Sequence, residues 1–161
     1  MGSYTPGAAW QAKARAFMDH CAGQLQRNSE AVAWLQAERG LNAETISRAG
    51  LGWNDRDLYQ ARTAWGLQPE MNQQTGRDKK VWLPGPSLVI PMTDDAGQVI
   101  RLRIRCSKPP KDGSRYIVCS GSGMQPLTFW DNQAAVAVVE SELDALLLSQ
   151  EVGELKGKRE S

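Results

Sequence analysis

The sequence predicts an α+β fold: a cluster of short N-terminal helices, a small and mainly antiparallel sheet, and a closing β-α unit. Three observations carry this. Apolar residues recur at helical spacing up to about residue 66. From Val81 the period falls to two. Near the end, the small apolar run Ala134 to Val139 meets a leucine-rich stretch through three acids spaced by two, Glu140, Glu142 and Asp144. These shifts divide the chain into a helical subdomain (8–66), a loop (67–80), an antiparallel β subdomain (81–133), a strand and helix (134–154), and a polar, basic tail expected to be disordered (155–161).

The first helix is expected over 8–26, with Trp10, Ala14, Phe17, Met18, Cys21 and Leu25 on one stripe. Cys21 on that stripe reads as a buried structural thiol, and His20, off it, as surface. A second helix runs from Ser29 to Arg39 with Ala31, Trp34 and Leu35 as core contacts, and Gly40 stops it. Asn42 caps a third, with Leu41 packing on Ile46 as a hydrophobic staple, and Gly50 closes it. Asn54 or Asp55 is expected to cap a fourth helix reaching Trp65, with Gly66 as its stop. The four tryptophans of this region read as core.

In the β subdomain, Leu88-Val89-Ile90 is a strand ending at Pro91, and Thr93 to Gln98 is a hairpin turn in which Gly97 supplies a positive φ. The next strand, Val99 to Arg105, alternates cleanly. Ile100, Leu102 and Ile104 fall on one face and Arg101, Arg103 and Arg105 on the other. Side chains two apart on a strand stand about 6.7 Å from each other, so three like charges line up, which is unfavourable unless something anionic lies on them. Lys108, Lys111 and Arg115 extend the basic stretch, and Tyr116 opens a third strand to Cys119. Cations for a backbone and an aromatic for a base are what single-strand binding uses, although the pattern equally fits a nucleotide triphosphate.

The closing unit reads as a strand buried on both faces, followed by a helix capped by Ser141. Glu140 would then lie at the carboxyl end of a strand, where an acid can hold a hard cation such as Mg²⁺. The blander explanation for Glu142 and Asp144 is the preference of first-turn acids for the helix dipole. Basic residues gather in 99–117 and acids in 139–154. A protein holding nucleic acid beside a metal site has this asymmetry, and so has one whose two segments pair with each other.

The whole chain sets outer bounds. Its 161 residues, 41% hydrophobic with a net charge of +1, suit one domain or a domain plus part of a second. No apolar run reaches the ~20 residues of a membrane span, and Met1 to Gly7 holds no signal-peptide core. Cys21, Cys106 and Cys119 are far apart and without a Cys-x-x-Cys pair, which argues against zinc and a disulfide framework and for reduced, cytoplasmic thiols.

In this order the motifs resemble a family, the catalytic core of bacterial DnaG-type primases, particularly relatives in phages and mobile elements. Trp34 to Ile46 with Gly50-Leu51-Gly52-Trp53 resembles the family's helical start. Leu88 to Met92, then Asp95, Gly97, Val99, Ile100 and Arg105, resembles its first hairpin. Arg115-Tyr116 stands where the family usually has Lys-Tyr, and Val138 to Leu146 resembles the first motif of the Toprim fold. The resemblance covers roughly residues 30–150. It implies synthesis of short RNA primers on single-stranded DNA from NTPs, with Mg²⁺ or Mn²⁺ in the parent enzyme and a replicative helicase as partner. It makes Glu140 the catalytic or metal-site glutamate and Asp144 a second acid of the motif. Arg105, Arg115 and Tyr116 match residues lining the template and nucleotide groove.

The departures from the family's pattern shape the expectation. Ser141 replaces the glycine after the glutamate, and the Asp-x-Asp motif and the N-terminal zinc finger are missing. The chain is therefore expected to be a truncated domain: the N-terminal subdomain plus the start of Toprim, inactive alone and holding no cation firmly. The alternative is a non-enzymatic module that binds single-stranded nucleic acid.

Overall fold

The computed structural model describes residues 4–111, 113–129 and 136–160, with side chains through residue 154. The first three helices form as their sequences dictate: α1 (Ala8–Gln26), α2 (Ser29–Ala37) and α3 (Ala43–Arg48). Asn28 and Asn42 cap α2 and α3 through their side-chain oxygens, accepting from the Ala31 and Thr45 amides at 3.0 and 2.8 Å. Gly40 and Gly50 take the positive φ that lets the chain reverse after each.

The expected fourth helix is replaced by β1 (Gly52–Asn54), β2 (Leu58–Ala61) and a single 3₁₀ turn over Arg62–Trp65. The physical reason lies with Asn54. Its side chain is buried and donates to the Leu83 and Pro84 carbonyls at 3.1 and 2.9 Å, so it is spent on a tertiary contact and caps nothing. β2 pairs with β3 (Lys80–Leu83) as a separate two-stranded sheet. Between them, residues 70–79 fold back on themselves. A Met71–Asp78 bridge and backbone bonds from Lys79 to Glu70 (2.7 Å) and Asn72 to Arg77 (2.8 Å) hold this arm together.

The main sheet is antiparallel in the order β1, β4 (Ser87–Thr93), β5 (Val99–Cys106), β6 (Tyr116–Val118). β4 runs two residues past Pro91. There β1 has already ended, so the missing proline amide faces no partner strand on that side. Asp94 organises the hairpin turn, its carboxylate accepting from the Ala96 and Gln98 amides at 3.0 and 2.9 Å, and Gly97 has φ +81°.

The sheet divides two cores. On one side, Val89, Leu102 and Ile104 pack with Trp10, Ala14, Phe17 and Cys21 of α1 and with Trp65, Val81 and Leu83. On the other, Leu88 and Ile90 pack with Leu35, Leu41, Ile46 and with Leu143 and Leu146 of α4 (Glu142–Glu160). The last helix therefore covers the face of β5 that carries the arginines.

The closing unit departs from expectation in two ways. Residues 134 and 135 lie outside the described residues, and 136–139 form no strand; Val138 is 92% exposed. A doubly buried strand needs neighbouring strands and cover on both faces, and the described residues offer this segment neither. Residues 155–160, expected as a disordered tail, continue α4 instead, in keeping with the good helix formers Leu155, Lys156, Lys158, Arg159 and Glu160. Ser141 does cap α4: its hydroxyl accepts from the Asp144 amide at 3.2 Å and donates to the Asp144 carboxylate at 2.7 Å.

Candidate nucleic-acid interface

The alternation of β5 puts Arg101, Arg103 and Arg105 on one face, opposite Met92, Ile90 and Leu88 of β4. The three meet different fates. Arg101 is buried, donating through Nη2 to Glu142 Oε1 at 2.9 Å and through Nη1 to the Gln125 carbonyl at 2.8 Å. Arg103 reaches the other oxygen of the same carboxylate, Nη1 to Oε2 at 2.6 Å, and lies 4.4 Å from the centre of the Tyr116 ring. Arg105 meets no carboxylate among the described residues; its guanidinium stacks 4.7 Å from the ring centre of Trp34. Arg39 stacks on the same indole at 5.6 Å.

Glu142 is thus the acid that the basic row required, supplied by the first turn of α4. The side chains of Glu142, Arg101 and Arg103 are 7%, 11% and 28% exposed. Burial holds the Arg101 guanidinium below its ordinary pKa; Glu142 opposes that shift and Arg103 adds to it. One carboxylate between two guanidiniums leaves a positive charge uncompensated, and Arg105 and Arg39 stand beside it. Arg105 Nε is buried without a hydrogen-bond partner.

Lys108, Lys111 and Arg115 are exposed on the segment joining β5 to β6, and the Arg115 carbonyl accepts from the Cys106 amide at 2.8 Å, which ties that segment to the end of β5. Tyr116 is half-buried and is the register partner of Arg105. The structure therefore keeps Arg101, Arg103 and Arg105 on one face of β5, with Lys108, Lys111 and Arg115 exposed on the segment that follows, but commits Arg101 and most of Arg103 to an internal ion pair. Trp34 and Arg39 were not expected here. The indole lies on the half-exposed side of α2, one residue before the fully buried Leu35, and only the tertiary fold brings it under Arg105.

Glu140 is exposed in the bend before α4, and the Asp144 carboxylate is engaged by Ser141. Among the described residues no three potential metal ligands come together. A hard divalent cation takes about six oxygens, more than the Glu140 and Asp144 carboxylates supply among the described residues. Among the described residues no helix is long and apolar enough to cross a membrane.

No protein-family model matches the chain, and no curated protein matches it. Solved structures do. The DnaG primase catalytic domain bound to ssDNA is similar at 18% identity and a TM-score of 0.48, over 69% of this chain and 38% of that one. A DNA primase domain from Pseudomonas aeruginosa is similar at 16% identity and a TM-score of 0.48, over 70% of this chain and 38% of that one. The RNA polymerase domain of Mycobacterium tuberculosis primase DnaG, in complex with a double-stranded DNA oligomer with an overhang, is similar at 16% identity and a TM-score of 0.46, over 72% of this chain and 39% of that one. The chain spans less than two-fifths of the length of each.

Proposed function

We propose that this chain works as part of a DnaG-type primase and supplies a basic, aromatic-backed face that grips single-stranded DNA. The observation that carries the reading is Arg105. It is a half-exposed guanidinium stacked on Trp34, without a carboxylate partner among the described residues, at the head of the exposed cations Lys108, Lys111 and Arg115. A stacked guanidinium is held in place by the ring while its N–H groups remain free to donate to a phosphate. The ordered motifs from Trp34 to Leu146 supply the family.

In the whole enzyme the reaction is phosphoryl transfer from NTPs, in which positioning and divalent cations carry most of the catalysis. This chain contributes the strand-holding face, and Glu140, exposed in the bend before α4, is the acid it would supply for general acid–base work. The remaining acids and the replicative helicase contact belong to other parts of that enzyme, so the chain alone makes no primers. The binding of DNA without any catalysis is the second reading, favoured by the solitary exposure of Glu140.

Fluorescence anisotropy of a labelled single strand tests the proposal. Binding should weaken steeply between about 50 and 200 mM salt, because each neutralised phosphate releases condensed counterion. Arg105→Ala should weaken it several-fold and flatten the salt slope by about one charge. Unchanged affinity in Arg105→Ala refutes the assignment, and primer synthesis by the isolated chain with Mn²⁺ refutes its role as a part.

A further inference from the structure

A second aromatic and basic feature lies away from β5. Tyr59 and Trp82 are register partners across β2 and β3 and project from the face opposite the core, since their neighbours Val81 and Leu83 are fully buried. Their rings lie within 9° of parallel with centroids 6.4 Å apart, and Tyr59 is 61% exposed. Trp82 is fixed in place by a hydrogen bond from its indole N–H to Asp57 Oδ1 at 3.1 Å; the same oxygen accepts from the Gly85 amide at 3.2 Å. The pair thus presents an exposed tyrosine ring stacked beside a half-buried, hydrogen-bonded indole.

The arm of residues 70–79 folds beside these rings and makes one wall of an open cleft of about 450 Å³. Arg77, Lys79 and Lys80 line it with a single carboxylate, Asp78. Lys79 is also paired with Glu70 at the base of the arm, whereas Arg77 and Lys80 make no ion pair among the described residues. The cleft is therefore a flat aromatic floor with a net positive wall.

We propose that the Tyr59–Trp82 pair is a base-stacking platform for single-stranded nucleic acid, with Arg77 and Lys80 holding the flanking phosphates. The proposal rests on the function proposed above only for its choice of ligand. Stacking needs a π-face and tolerates any base, while the cations track the backbone, and this cleft offers both within one hairpin. Trp34, at the β5 face, already stacks with two guanidiniums, whereas Tyr59 is exposed beside the cations of the arm.

The test separates bases from phosphates. Labelled oligothymidylate of about ten nucleotides and an abasic strand of the same length and charge are titrated with the full chain. The wild type should bind the base-bearing strand about tenfold more tightly, within the range of one to a few stacked bases. Tyr59→Leu should abolish that difference and leave abasic binding unchanged, with Trp82→Leu as the second variant and far-UV circular dichroism as the check on folding. Arg105→Ala should weaken both strands alike, because it acts on phosphate. Full discrimination retained in both hairpin variants overturns the platform and leaves the β5 face standing. Discrimination lost in Tyr59→Leu with Arg105→Ala silent supports the platform and overturns the β5 assignment. Binding of neither strand by the wild type overturns both.

Discussion

Glu142→Gln is the substitution with the largest consequence relative to its size. The side chain keeps its shape and loses its charge, at a site where one carboxylate joins two guanidiniums at 2.9 and 2.6 Å. Breaking a buried pair by removing one partner typically costs about 3–5 kcal/mol, since the other charge stays buried uncompensated. Arg101, 11% exposed, bears that cost in full, while Arg103, 28% exposed, can turn toward water. The glutamine oxygen still accepts one hydrogen bond. These two effects place the loss at the lower end, about 3 kcal/mol. With a urea slope of about 2 kcal/mol/M, the midpoint should fall by about 1.5 M. If α4 instead detaches as a unit, the loss appears as faster amide hydrogen exchange along α4, with the midpoint less changed. A complementary pair of substitutions isolates the electrostatics: Arg101→Met with Glu142→Leu should recover much of what either single change loses. An unmoved midpoint together with unchanged α4 exchange in Glu142→Gln would refute the reasoning.

Two further outcomes follow from the cores. Burial pushes the Cys21 and Cys119 thiols up from 9.0 to about 12; the fold excludes the thiolate, so both should ignore a thiol reagent at about pH 8 and react once urea unfolds the chain. By the same sign, the stability they contribute is complete below pH 9 and is lost as pH rises from there toward about 12, at up to about 1.4 kcal/mol per thiol per pH unit; a flat urea midpoint across that range would contradict it. Gly52→Ala should cost about 2 kcal/mol and lower Tm by roughly 5 °C, because a Cβ there would stand 2.6 Å from Cys21 Cβ and 2.8 Å from its backbone carbon; a variant melting with the wild type shows that β1 and α1 are not pressed together as described.

Local signals made most of the fold legible. Asn42 caps α3, Gly40 and Gly50 close their helices, and the Asp94–Gly97 turn sets the hairpin, each within a few residues of its partner. The misread segment, 54–65, fails where a local cue serves a distant one: Asn54 has the look of a helix cap but spends its amide on carbonyls about thirty residues away. The site was half legible. Strand alternation correctly aligned Arg101, Arg103 and Arg105 and implied an anionic companion. That the companion is Glu142, about forty residues on, depends on how α4 lies across the sheet. Trp34 has ordinary helix spacing and so reads from sequence only as a core contact, and Tyr59 meets Trp82 only once β2 is a strand.

The far end of α4 shows what its polar contacts decide. Gln150 uses both halves of one amide on the α2–α3 connection, donating to the Gly40 carbonyl at 2.9 Å and accepting from the Asn42 amide at 2.8 Å. Between Glu142 and Gln150 the helix presents Leu143, Leu146, Leu147 and Leu148, of which Leu148 is left 40% exposed. Apolar contact distinguishes the observed docking only weakly in the second turn, where one residue of rotation would put Leu147 and Leu148 in the places of Leu146 and Leu147; at Leu143 the same turn would bring in Asp144. Such a turn swings both polar side chains through about 100° and leaves a carboxylate, two guanidiniums, the Gly40 carbonyl and the Asn42 amide unanswered. The leucines supply adhesion, and Glu142 and Gln150 act as teeth in a key that admit one rotational setting of the helix.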